Sequence, residues 1–189
     1  MNYGVYQNVR NASWQCLLDC KINSLPVPVS YICELYGGKV INNSEVHKLE
    51  PNQSGRLTIV DEKFFIIVND NEKMPRIRFT IAHELGHYLL GHLGTDKANL
   101  NREYHNIKPV HETEADMFAA RLLAPACVLW GINAKTAEQI ASVCNISPEA
   151  AKIRSERMEL LRKRNKFLTS PLEQQVYNQF DEYIKNNRL

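Results

Sequence analysis

The 189-residue chain lacks a strong charge bias, a long apolar run and a repeated cysteine motif. Lysine and arginine number 23 against 21 acidic residues, a formal net charge of +2. The chain as a whole is therefore not a polycation held to nucleic acid by bulk charge. The longest apolar stretch, residues 122–132, contains Pro125 and falls far short of the ~20 residues that a membrane span needs. Five cysteines (Cys16, Cys20, Cys33, Cys127 and Cys144) show no repeated CxxC spacing. That argues against a disulfide scaffold and for small core residues in a reducing compartment. The opening MNYGVYQNVRN has no apolar core, so no signal peptide is expected and the expected localisation is cytoplasmic. What is present is ordinary: 44% hydrophobic and 23% charged residues, as in a soluble globular protein. The length suits about one domain with a small appendage.

Along the chain, Trp14, Leu17 and Leu18 predict a helix over 11–21. A second is predicted over 28–36, with Pro28 at its first position and Gly37-Gly38 as its stop. Lys39-Val40-Ile41 is a short strand candidate. Residues 56–60 and 64–68 read as a hairpin joined by Asp61-Glu62-Lys63. Ile77, Ile81, Leu85, Tyr88 and Leu89 form a 3.6-residue stripe for a helix from near Pro75 to near Gly91. Residues 92–110 are polar and read as a loop. A helix over about 111–124 stops at Pro125, and two more follow at 136–144 and 148–164. Residues 165–171 look like a linker, and Leu172, Val176, Phe180 and Ile184 suggest a tail helix over 172–186.

The predicted helix around Leu85 carries His83-Glu84-Leu85-Gly86-His87. Residues i and i+4 share a helical face, so both imidazoles can hold one metal ion. Glu84, beside that ion's open side, can take a proton from water there. This is the HExxH arrangement. A third ligand is needed, and Glu112-Thr113-Glu114-Ala115-Asp116 follows 25 residues after His87. Glu112 could supply it. Asp116, one turn on, could accept a hydrogen bond from the outer nitrogen of a ligating histidine and fix its tautomer. Small Ala115 lets the two helices approach closely. HExxH and ExxAD together are a coincidence of about one in ten thousand. Two imidazoles and a carboxylate favour Zn2+.

These residues carry a resemblance. RIRFTIAHELGHYLLGH (76–92) with ETEADMFAARLLAP (112–125) resembles the ImmA/IrrE family of bacterial metallopeptidases. LPVPVSYICELYGGKV (25–40) is similar to that family's N-terminal helix and strand, and the likeness extends over about residues 12–160. It implies a gluzincin-like fold, with His83, His87 and Glu112 as zinc ligands and Glu84 as general base. It also implies proteases that cut DNA-bound repressors. Asp116 stands where the family often has Asn, which is closer to an ExxxD pattern.

Other polar groups lie near these motifs in the sequence. His92, His105 and His111 are conceivable third ligands, but three are already supplied and each reads as a surface histidine. Glu114 is expected to be solvated. Tyr88 lies on the apolar stripe and reads as core, whereas Tyr104 is a candidate for substrate or oxyanion contact. Cys16 and Cys20 share a face, but no second pair follows, so core packing is expected. Residues 137–157 resemble a helix-turn-helix, with Ala141 at the small position, Asn145 at the turn and Ile146 after it. Residues 152–166 hold seven Lys/Arg against Glu156 and Glu159. Arg154, Arg162 and Lys163 are thus candidate nucleic-acid or partner contacts, though a basic stretch alone is weak evidence.

The expected fold class is α+β: a mostly helical zincin-like metallopeptidase core with a small antiparallel sheet and a C-terminal helix-turn-helix-like appendage. The expected division is a core at 1–131 and a helical region at 132–189. The expected function is a zinc-dependent endopeptidase acting on a protein substrate, a helix-turn-helix repressor. The alternative is a zinc-containing regulator that binds DNA or protein without general protease activity.

Overall fold

Between residues 55 and 68 the chain is rich in β-branched and aromatic side chains, which pack well on a pleated surface. The computed structural model describes residues 3–61, 63–92 and 109–189, and side chains from residue 8 onward. It folds this stretch into strands β2 (Gly55–Val60) and β3 (Lys63–Val68), antiparallel from Gly55↔Val68 to Val60↔Lys63. The sheet is not wholly antiparallel as expected. A further strand, β1 (Lys39–Asn42), joins the other edge of β3 in parallel, giving the order β1-β3-β2. A hairpin leaves one edge of β3 open. The short helix α3 (Asn43–Val46) and the turns after it join the end of β1 to the start of β2, both beside Val68, and leave between them the place that β3 fills; β2 then makes the return that sets β3 parallel to β1. Central β3 buries Phe64, Ile66, Ile67 and Val68.

Two helices cover this sheet. Helix α2 (Val29–Leu35) ends at Gly37, whose φ of +80° is open to glycine at little cost. The next residue, Gly38, admits the Phe64 ring: a Cβ there would stand 2.2 Å from it. Phe64 also stacks on Tyr88, ring centroids 4.0 Å apart. Tyr88 belongs to helix α4 (Met74–Leu89), which packs on β2 and β3 through Ile81, Ala82 and Leu85. Pro75 sits in the first turn of α4, where its missing N–H costs nothing. Helix α5 (Pro109–Leu123) follows, with Ala115, Phe118 and Ala119 fully buried.

Residues Val29–Ala119 form one compact unit, and Met1–Pro28 with Ala120–Leu189 form another. In the latter, helix α1 (Tyr3–Asp19) packs on α9 (Pro171–Gln179). The Gln179 amide donates to the carbonyls of Leu17 and Ile22 at 2.8 and 2.7 Å. The apolar run Ala126–Gly131 is helix α6, which restarts after Pro125 and buries Ala126 to Leu129. Helices α7 (Ala137–Cys144) and α8 (Pro148–Lys163) form the expected pair. Thr136 and Gln139 make a capping box, Ser147 caps α8, and Asn145 turns the chain at φ 50°. The tail is two helices rather than one: α9 stops at Phe180, and α10 (Asp181–Asn186) continues after it. All five cysteines are buried thiols. Among the described residues, no helix is long and apolar enough to cross a membrane.

Glu173 near the start of α9 is buried and accepts the Thr169 N–H at 3.0 Å. Burial raises its pKa despite opposing backbone hydrogen bonds and the Arg10 charge. A carboxyl with a raised folded pKa binds its proton more tightly when folded. Its stabilising contribution is therefore present at low pH and lost as pH rises through the folded value. Relative to wild type, Glu173→Gln is expected to melt higher at about pH 8 than it does at about pH 4. An equal offset of melting temperatures at both values would refute this reading.

Candidate metal centre

The His83 and His87 rings lie one turn apart on α4, with Nε2 atoms 3.0 Å from each other. Glu112, in the first turn of α5, brings one carboxylate oxygen to 3.3 Å from His83 Nε2 and the other to 3.4 Å from His87 Nε2. The distances lie near the edge of about 3.3 Å expected between ligands of a tetrahedral ion with bonds of ~2.0–2.1 Å, with the two carboxylate oxygens facing one imidazole each. Two imidazole nitrogens and a carboxylate suit a small divalent cation, and this group could hold one. Close approach of α4 and α5 makes the triangle possible. A Cβ at Gly86 would stand 3.1 Å from the Phe118 ring and 3.3 Å from the Ala115 Cα. The sequence pointed to Ala115; Gly86, inside the motif itself, is the matching half.

Asp116 lies one turn beyond Glu112. Its carboxylate is 2.9 Å from His83 Nδ1, so that nitrogen carries the proton and Nε2 keeps its lone pair. Burial disfavours charge on His83, but the Asp116 hydrogen bond and the nearby carboxylates outweigh it and raise its pKa. His87 is 1% exposed at the side chain. Burial, with the charges of His83, His92 and His111, pushes its pKa down to about 3, which keeps the imidazole neutral. Glu84 is buried. Burial pushes its pKa up to about 7, opposed by His83, reinforced by Glu112 and opposed again by a hydrogen bond from the Leu57 backbone on β2.

A second group, His92, His111 and Glu114, expected at the surface, is partly buried. The His92 side chain is 4% exposed and that of Glu114 16%. His92 Nδ1 is 3.0 Å from His87 Nδ1, and His92 Nε2 is 3.0 Å from a Glu114 oxygen. The reason is the end of α4. Gly91, at φ +71°, turns the chain, and the His92 N–H donates to the His87 carbonyl at 3.1 Å. This 6→1 bond is the Schellman ending, which brings the residue after the glycine back over the last turn. The pair Gly91-His92 was the sequence signal for it.

Residues 43–156 match the family model of Peptidase M78, the IrrE N-terminal-like domain. The chain belongs to that family. The match takes in both α4 and α5, and so every residue of the two groups above. Membership of Peptidase M78 gives the chain a metallopeptidase-type function with a protein substrate, and the His/Glu groups suggest a metal ion. No curated protein matches the chain.

The remaining candidates lie elsewhere. Tyr104 and His105 fall outside the described residues. Arg154 donates to the Ala124 carbonyl, and Arg162 to the Ala134 carbonyl. Lys163 is exposed, 4.0 Å from Glu159.

Proposed function

We propose that this M78 member is a cytoplasmic zinc endopeptidase that cleaves one regulatory protein, a helix-turn-helix repressor. The observation that carries the peptidase reading is the convergence of His83, His87 and Glu112 next to buried Glu84. His83, His87 and Glu112 would hold the ion, which when bound acidifies water and polarises the scissile carbonyl. Asp116 keeps the His83 proton on Nδ1, so that Nε2 faces the ion. Glu84 accepts a proton from the attacking water and returns it to the leaving amine. Its burial keeps bulk water from competing for that proton. The helical region 132–189 would serve to find the target. The repressor as substrate rests on the family resemblance of the two motifs.

The alternative, a regulator gripping nucleic acid through 152–166, has less support, because Arg154 and Arg162 point their guanidiniums at backbone carbonyls of their own unit.

The test is removal of the metal. Protein loaded with about one zinc per chain, as a single three-ligand site requires, is expected to cleave a co-purified candidate repressor. Chelated protein should not, and added zinc should restore cleavage. Equal cleavage with and without metal would end this reading.

A further inference from the structure

The His92–Glu114 pair has two possible uses, and ring geometry separates them. Three ligating atoms from His92, His111 and Glu114 lie close enough to hold a second ion. Yet the His92 and His111 rings are stacked, with centroids 4.3 Å apart and planes within 6° of parallel. An imidazole lone pair lies in its ring plane, so two parallel, stacked rings do not aim at one point. The arrangement instead holds the plane of His92 fixed against His87.

We propose that His92 and Glu114 position His87 by fixing its tautomer. This rests on the reading of His87 as a ligand through Nε2. A ligating Nε2 must be free of its proton, which then sits on Nδ1. His92 Nδ1 lies 3.0 Å from that Nδ1, in place to accept its proton. The His92 proton is thereby forced to Nε2, where it donates to Glu114. One carboxylate thus sets two tautomers in series and holds the His87 ring with its Nε2 beside Glu112. Asp116 does the same for His83 directly. Each ligating histidine has its own carboxylate, one in contact and one through a second ring. Both carboxylates stand on α5, two residues apart, with Glu112 just before them. The Schellman turn at Gly91 is what lets His92 reach His87. Outer partners of this kind typically carry 10–100-fold in metal affinity.

The experiment uses the full chain, with zinc affinity read by competition with a coloured chelator and geometry by the visible spectrum of bound Co2+. His92→Phe keeps a ring to stack on His111 but accepts no hydrogen bond. It is expected to bind zinc about 10–100-fold more weakly and to alter the Co2+ spectrum. His92→Gln restores an acceptor and a donor and should bind several-fold tighter than His92→Phe. Glu114→Ala should weaken binding in the same direction with His92 intact. Melting of the metal-free proteins shows that each variant is folded. A purely structural role would lower melting temperatures yet leave the Phe and Gln variants alike in affinity. Equal affinity of those two variants, or wild-type affinity in His92→Phe, would overturn the proposal while the peptidase reading stands. Two zinc ions per wild-type chain would overturn it as well, since a second ion would take the lone pair that His87 needs. A wild-type chain that binds no zinc would overturn both readings.

Discussion

Glu84→Gln is expected to keep the metal and lose peptide-bond cleavage by roughly a hundred- to ten-thousand-fold, the usual contribution of one positioned acid or base. The substitution is nearly isosteric. It leaves the triangle of His83, His87 and Glu112 untouched, because Glu84 is not one of the three converging groups. Gln can still accept a hydrogen bond from the Leu57 backbone, so the buried side chain keeps its anchor on β2. What it cannot do is take a proton from water at neutral pH. The measurement is paired: metal content after gel filtration, and the rate of loss of intact substrate against wild type. A variant that retains the ion and cuts as fast as wild type would remove Glu84 from the mechanism. A variant that loses the ion would show that the carboxylate serves the site's architecture instead.

Gly86→Val is expected to produce an equally clear loss by a different route. Even a bare Cβ at this position comes within 3.1–3.3 Å of Phe118 and Ala115. Valine adds two methyl groups at a contact where both neighbours are fully buried. Helix α5 must then move away from α4, and Glu112 moves with it. Overpacking of this kind costs about 1–3 kcal/mol in stability. The larger effect falls on the ion, because a displaced third ligand leaves two imidazoles and no closed triangle. The protein should stay folded with a lowered melting temperature and give up its metal to a weak chelator that wild type resists. Gly86→Ala is the control. Its tight contacts are offset by the gain of about 1 kcal/mol in helix propensity, so its metal content should stay near that of wild type. Full metal retention in Gly86→Val would mean that Glu112 is not held by this contact.

The parts of the fold that were legible in the sequence are those governed by local periodicity. The α4 stripe through Ile81 and Leu85, the strands around Ile59 and Ile66, and the capping box at Thr136 and Gln139 all depend on neighbours within one turn or one hairpin. The pairs His83/His87 and Glu112/Asp116 were legible for the same reason, since each repeats at i+4 on its own helix, and the small residues Gly86 and Ala115 are what let the two pairs meet. Strand direction was not legible. Whether β1 runs with or against β3 depends on how the chain between them travels, and that is a tertiary choice. The apolar run 126–131 has no polar face, and without one there is no helical period to read. In the tail the i+4 stripe correctly placed Val176, Phe180 and Ile184 in the core. It could not show that the helix breaks at Phe180. His92 was misread because i+5 is not a helical neighbour. Only the left-handed turn at Gly91 makes it one.

The separation of α1 from its packing partner α9 sets an order of events on the ribosome. Residues Val29–Ala119 are contiguous, so this unit has all its parts once Ala119 has been made. Helix α1 precedes that unit in the chain, yet it cannot close its contact until Gln179 emerges and bonds Leu17 and Ile22, 162 and 157 residues later. Its apolar face, with Trp14 and Leu17, therefore waits for α9 until those residues have been made. Closing so long a loop is slow relative to local folding. The nascent chain thus holds every residue of Val29–Ala119 before the partner of α1 is made, and the two ends of the other unit close around a segment able to fold ahead of them.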